Sequence, residues 1–117
     1  MNFALTEDQA MIRDAAQGFL AEQSDSAAVR KAMAGDSGWD AGVWARIGAE
    51  LGWCGIPVAE TYGGLGLGAV ELALVMEQMG RSLLCAPYFS TVCLAANLLE
   101  QAGSEAARAR LLPDLAA

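Results

Sequence analysis

The first quarter of the chain repeats apolar side chains at the spacing of an α-helix, and this periodicity constrains the fold more than any other feature. Behind Thr6-Glu7-Asp8-Gln9, which has the form of a capping box, apolar residues recur four positions apart. They form two adjacent rows: Met11, Ala15, Phe19 and Ile12, Ala16, Leu20. This pattern predicts an amphipathic helix from about Glu7 to Glu22.

The same signals predict further helices along the chain, and no run alternates with period two for long enough to form a strand. The second predicted helix is Ala27–Ala34, and the third is capped by Asp40 and stopped by Gly52. The fourth, Ala69–Met79, is closed by Gly80, and the fifth, from about Ser90 to Ala102, is ended by Gly103. The last, Glu105–Leu112, is capped by Ser104 and stopped by Pro113. We therefore expect an all-α fold, a bundle of about six helices forming one domain over residues 1–117.

A long glycine-rich loop interrupts this pattern between Trp53 and Gly68. Its end, Gly64-Leu65-Gly66-Leu67-Gly68-Ala69, has the letters of a dinucleotide-binding turn. That chemistry needs a strand before the turn and an acidic residue about twenty positions later, and the sequence has neither. We interpret the glycines as positions of positive φ and close backbone packing.

Composition excludes several classes of function. The chain has no histidine, so Ser-His and Cys-His nucleophilic triads are ruled out. A net charge of −7 with a single lysine gives no basic patch for nucleic acid or an anionic membrane. Three cysteines without a C-x-x-C pair favour neither a disulfide framework nor a metal site, and a reducing, cytoplasmic location fits best.

Two apolar stretches stand out. Residues 82–99 carry no charge, but Pro87 and several polar side chains within them favour a helix buried in protein over a membrane span. The Ala69–Met79 stretch is apolar nearly all round, with Glu71 and Glu77 as its only charges, so we expect burial on more than one side. A chain this short should present the remaining apolar face to other domains, to another copy or to an apolar ligand.

The residue types that carry chemistry do not assemble into a complete active site, and we assign no catalytic and no metal-binding residue. The carboxylates of Glu60, Glu71 and Glu77 are expected to be solvated or to cap helices. The remaining candidates are read as structural: Cys54, Cys85 and Cys93 as buried inert thiols, and Trp39, Trp44 and Trp53 as core anchors.

Four stretches in this order resemble the N-terminal helical domain of the acyl-CoA dehydrogenase family, and together they cover essentially the whole chain. They are the opening from Phe3 to Gln9 with Ile12-Arg13 and Phe19, the helix end from Trp44 to Trp53, the loop from Gly55 to Gly68, and the helix end from Val75 to Arg81. The sequence departs from the family pattern at Ala59 and Gln78, where proline and glutamate are common.

The resemblance implies that FAD and the catalytic glutamate belong to a middle β-domain and a C-terminal helical bundle that these 117 residues lack. This chain would then be inactive alone, would not bind FAD by itself, and would act with those domains or a partner subunit in a homo-oligomer that takes an acyl-CoA substrate. Its own contribution would be one wall of the acyl pocket, formed by Pro87, Tyr88, Ser90, Thr91 and Leu94.

Other readings stay open from the sequence. The five wall residues could equally be ordinary helix-packing positions. The same scaffold also carries flavin monooxygenases and nitroalkane-oxidase-like enzymes, whose distinguishing residues lie elsewhere. Outside enzymes, the chain could be a stand-alone helical module that self-associates through its apolar helices.

Overall fold

The computed structural model describes residues 1–117, and every regular element in it is helical. The six α-helices are α1 (Glu7–Gln23), α2 (Ser26–Ala34), α3 (Ala41–Ala45), α4 (Ala69–Arg81), α5 (Asn97–Ala102) and α6 (Glu105–Ala116). π-Helical segments follow α3 (Arg46–Glu50) and precede α5 (Phe89–Ala96), and two short 3₁₀ turns lie in the glycine-rich loop (Trp53–Gly55 and Glu60–Tyr62). The predicted all-α class is confirmed.

Local capping residues set the starts of the helices. At α1 the Thr6 hydroxyl accepts the Gln9 N–H at 3.1 Å, and the Gln9 side chain accepts the Thr6 N–H at 3.0 Å. This is the predicted capping box, and α1 runs to Gln23, one residue beyond the prediction. The side chains of Asp25, Asp40 and Ser104 cap α2, α3 and α6 in the same way, each accepting from the N–H three residues on.

Contacts within the chain define two compact units, of which the first comprises Met1–Gly38 and Ala69–Cys85. Its main feature is the packing of α1 against α4. Near the start of both helices the Gln9 side-chain amide donates to Glu71 Oε1 at 3.1 Å. Near their ends the Ser24 hydroxyl donates to the Ser82 carbonyl at 3.0 Å. The two helices therefore run parallel and are fixed at both ends.

The second unit comprises Trp39–Gly68 and Ala86–Ala117. One apolar cluster joins the glycine-rich loop, the helix α5 with its π-helical lead, and α6; its buried members are Val58, Ala96, Leu112 and Ala116. Within the loop Gly64 lies against Val58, so closely that a Cβ at position 64 would collide with the Val58 carbonyl and side chain. The loop is thus part of the core of this unit.

The predicted stop of the fourth helix at Gly80 is wrong. The helix continues to Arg81, and the left-handed residue that ends it is Leu83, with φ of 51°. The Leu84 N–H donates to the Met79 carbonyl and the Leu83 N–H to the Gly80 carbonyl. This is a Schellman motif with leucine where glycine is usual, which the sequence rule did not anticipate.

The predicted end of the last helix at Leu112 is also wrong, because α6 passes through Pro113 and reaches Ala116. Proline removes one backbone hydrogen bond and crowds the preceding turn. Continuing the helix keeps Leu112 fully buried and Ala116 in the core cluster. Burial of apolar surface in the core therefore outweighs the local signal to stop.

The expectation that the apolar helix α4 is buried on several sides does not hold within this chain. Val70 is 51% exposed and Ala73 is exposed, whereas Val75 and Met79 are buried. The apolar helices thus keep open faces. None of the helices combines the length and the hydropathy that crossing a lipid bilayer requires.

Two glycine substitutions test these assignments. Gly80 lies inside α4 with open space at its Cβ position, so Gly80→Ala should raise the free energy of unfolding by about 0.5–1 kcal/mol. Gly64→Ala should lower it by about 1–3 kcal/mol or more, because the added methyl overpacks Val58. Urea denaturation followed by circular dichroism measures both, and a destabilising Gly80→Ala would restore Gly80 as the helix stop.

Candidate functional site

The five residues predicted to line an acyl pocket lie at the start of the π-helical segment Phe89–Ala96 and just before it. Their exposure differs sharply. Tyr88 is buried, Pro87 and Thr91 are half-buried, and Ser90 and Leu94 are exposed. The set therefore divides into side chains that face the protein and side chains that face outward.

Tyr88 is an anchor within the second unit. It is 2% exposed, and its hydroxyl donates to the Trp53 carbonyl at 2.8 Å. Burial raises the pKa of the phenol well above its ordinary value, and the neighbouring thiols of Cys54 and Cys93 raise it further. The side chain offers no surface to a ligand and instead ties the start of the π-helical segment to the 3₁₀ turn Trp53–Gly55.

The outward side of the same segment carries an apolar surface, which we call the apolar ridge. It consists of Phe89, Leu94 and Leu98, which are 57%, 54% and 67% exposed. Spacings of five and then four residues match a π-helical turn followed by an α-helical turn, so these side chains share one face. The sequence analysis identified Leu94 but missed Phe89 and Leu98, because five-residue spacing is not part of the α-helical pattern.

The hydroxyl groups beside the apolar ridge are held locally. Ser90 Oγ donates to the Pro87 carbonyl at 3.1 Å, and the Thr91 N–H donates to the same carbonyl at 3.1 Å. The Pro87 carbonyl therefore fixes the first turn of the segment.

Thr91 also lines a cleft of about 390 Å³ in the second unit. Its other lining residues include Trp44, Gly48, Cys54 and the carboxylate Asp114. Burial raises the pKa of the Cys54 thiol to about 11, so it stays protonated and unreactive near neutral pH. Of the five predicted residues only Thr91 lines this cleft.

The backbone amides of the glycine-rich loop are already used. The N–H groups of Leu65, Gly66 and Leu67 donate to the carbonyls of Gly55, Val58 and Ile56, each at 2.8 Å. A phosphate cradle requires free amides that point at the ligand, and no strand precedes this loop. This loop therefore does not fit the pyrophosphate of FAD or of another dinucleotide.

The remaining candidates are structural. Glu71 accepts a hydrogen bond from Gln9, while Glu60 and Glu77 are exposed. Cys54 is the buried thiol that was expected, but Cys85 and Cys93 are only half-buried. No three ligand-type side chains lie close enough together to hold a metal ion.

The tryptophans were expected to be core anchors, and this holds fully only for Trp53, which is 6% exposed. Trp39 and Trp44 are half-buried and form an edge-to-face pair, with ring centroids 6.3 Å apart. The two rings therefore pack partly against each other.

Comparison with known proteins agrees with this all-helical domain. Residues 6–117 match the family model described as acyl-CoA dehydrogenase, N-terminal domain. The chain is 31% identical over 100 residues to acyl-CoA dehydrogenase IpdE2 of Mycobacterium tuberculosis, covering 86% of this chain and 31% of that protein. It is 33% identical to (R)-benzylsuccinyl-CoA dehydrogenase of Thauera aromatica, covering 92% of this chain and 30% of that protein.

A solved structure from work on the electron transferring flavoprotein of Acidaminococcus fermentans superimposes with a TM-score of 0.80 at 31% identity, over 99% of this chain and 30% of that one. The fold is thus that of an acyl-CoA dehydrogenase N-terminal helical domain. The chain belongs to the acyl-CoA dehydrogenase family, and it spans about 30% of the length of the relatives it matches.

The role of Tyr88 as an anchor can be tested by removing one oxygen atom. Tyr88→Phe removes the hydroxyl that donates to the Trp53 carbonyl, which still accepts the Ile56 N–H at 3.3 Å, and should lower the free energy of unfolding by about 0.5–1.5 kcal/mol. Tyr62→Phe is the matched control, because Tyr62 packs against the core but its hydroxyl makes no hydrogen bond, and its cost should stay within about 0.5 kcal/mol. Equal effects of the two substitutions in urea denaturation would refute the anchor role.

Proposed function

We propose that this chain serves as the N-terminal lobe of a flavin-dependent acyl-CoA dehydrogenase, an enzyme that introduces an α,β double bond into an acyl-CoA thioester. The observation that carries the proposal is the apolar ridge, since a lobe that completes an acyl pocket needs apolar side chains that its own core does not cover. Phe89, Leu94 and Leu98 meet this requirement on one helix face. The family membership and the partial coverage of the relatives support it.

The five predicted wall residues have different parts in this proposal. Leu94, with Phe89 and Leu98 beside it, contacts the acyl group or the domain that encloses it. Ser90 lies next to this surface, and its hydroxyl is held by the Pro87 carbonyl. Tyr88 positions the segment through its bond to Trp53 and does not touch the substrate.

The chemistry is assigned to parts of the enzyme beyond this lobe. The loop amides are occupied by backbone carbonyls, and the Cys54 thiol in the cleft stays protonated near neutral pH. The one carboxylate that lines the cleft, Asp114, is exposed to solvent. We propose that the middle β-domain and the C-terminal helical bundle typical of the family hold FAD and supply the catalytic glutamate. The lobe alone then catalyses no dehydrogenation.

The first test is the visible absorption of the purified chain after incubation with excess FAD and removal of free flavin. We expect no flavin absorption near 450 nm, because the loop amides that could cradle the pyrophosphate already donate to backbone carbonyls. Retained flavin, or reduction of an artificial acceptor by any acyl-CoA, would contradict the assignment of the chemistry to other domains.

The second test places the lobe in a working enzyme, with this chain replacing the matched third of the Thauera aromatica relative. The chimera should retain flavin and act on the relative's own substrate, (R)-benzylsuccinyl-CoA. Leu94→Glu should lower kcat/KM about tenfold or more without changing the flavin bound per subunit, because it places a carboxylate on the apolar wall.

The matched control is Leu111→Glu on α6, which is 38% exposed and lies outside the apolar ridge. Its kcat/KM should equal that of the parent chimera. A Leu94→Glu chimera with unchanged kcat/KM argues against the wall. A parent chimera that loses its flavin argues against the lobe itself.

A further inference from the structure

The first unit contains a second cleft, of about 710 Å³, where the ends of α1 and α4 meet α2. Its lining includes Ser24, Val29, Arg30, Met33, Arg81 and Leu83. None of these residues belongs to the apolar ridge or to the glycine-rich loop. The cleft has the size of a small-molecule or side-chain pocket and has no role in the proposed function.

The apolar part of this cleft is unusually open. Met33 is 72% exposed and Leu83 is 69% exposed. Leu83 also adopts a left-handed φ of 51°, a conformation that leucine rarely takes. A strained, outward-facing leucine beside an exposed methionine forms an apolar floor that nothing in its own unit covers.

The rim of the cleft is cationic in a chain whose net charge is −7. Arg30 forms no ion pair, and Arg81 makes only a long contact of 3.5 Å with Gln78 Oε1. The one carboxylate in the lining, Asp25, already accepts the Ala28 N–H at the start of α2. The complementary ligand is therefore an apolar group followed by carboxylates.

A segment with this chemistry exists in the chain itself. Residues 1–5 precede α1, and in them Met1 is 108% and Phe3 is 87% exposed. The first turn of α1 then supplies the exposed carboxylates of Glu7 and Asp8. We call residues 1–5 the N-terminal arm.

The arm cannot reach the cleft of its own molecule. Phe3 precedes Glu7 by four residues, which span at most about 14 Å when extended. The cleft lies at the other end of α1, and the rise from Glu7 to Ser24 is about 26 Å. The difference between these two distances exceeds the length of a phenylalanine side chain. The arm can therefore pair with the cleft only of another molecule.

We propose that the cleft is a docking site for the N-terminal arm of a second copy of this chain, with Phe3 on the floor formed by Met33 and Leu83, and Glu7 and Asp8 near Arg30 and Arg81. Reciprocal insertion gives a closed two-fold dimer. The two contacts are small, so the dimer is weak and depends on protein concentration. This inference is independent of the proposed function.

Sedimentation velocity of the full chain at rising concentration tests the proposal. The 12.2 kDa chain should approach twice its mass, and Phe3→Ala should weaken the association about tenfold or more. Leu83→Asn should do the same while keeping the fold, because asparagine tolerates the left-handed φ better than leucine does. Leu111→Asn is the control, since it removes an exposed leucine of the second unit that lies outside the apolar ridge, and it should leave the association unchanged.

A mixture of the Phe3→Ala and Leu83→Asn chains provides a complementation test. The Phe3→Ala chain keeps an intact cleft, and the Leu83→Asn chain keeps an intact arm. A dimer with one copy of each therefore contains one complete contact, so the mixture should associate more tightly than either variant alone. A parent chain that stays monomeric overturns the proposal. A dimer that Leu83→Asn does not weaken also overturns the proposal, since the arm would then bind outside the cleft.

Discussion

The three hydrogen bonds that fold the glycine-rich loop onto itself are the interaction on which the second unit depends. The amides of Leu65, Gly66 and Leu67 donate to carbonyls ten, eight and eleven residues earlier in the chain, each at 2.8 Å. They press Gly64 against Val58, whose side chain belongs to the core cluster. The 3₁₀ turn Trp53–Gly55 opens this loop, and the Trp53 carbonyl receives the Tyr88 hydroxyl.

These bonds also decide what the loop can do. A glycine-rich turn before a helix resembles a phosphate-binding loop when it is read as letters, but its chemistry depends on free amides. Here the amides stabilise the domain, so the glycines serve close packing. This agrees with our proposal that other domains carry the chemistry and that this lobe supplies surfaces.

Local signals made much of the fold predictable from the sequence. The capping box at Thr6 and the caps at Asp25, Asp40 and Ser104 are interactions between residues three apart, so their positions follow from the sequence alone. The helix ends at Gly80 and Pro113 were predicted wrongly. A left-handed leucine, Leu83, takes the place of the glycine that would be expected to end α4. Burial of Leu112 and Ala116 carries α6 through Pro113.

The candidate site was predictable only in part, for a related reason. The sequence pointed to the segment from Pro87 to Leu94, which contains Phe89 and Leu94 of the apolar ridge, whereas Leu98 lies beyond it. It could not show that Tyr88 faces inward, since this depends on a partner 35 residues away. The π-helical turn was equally hidden, because five-residue spacing is not part of the α-helical pattern by which Phe89 and Leu98 would be recognised.

Amide hydrogen exchange at Leu65, Gly66 and Leu67 is the most direct test of this account. If the loop is part of the core, these amides exchange only through global unfolding, as slowly as the amide of the fully buried Val92. Exchange at the rate of an unstructured peptide would contradict the account. It would mean that the amides are free, and that the loop is open to a phosphate-bearing ligand after all.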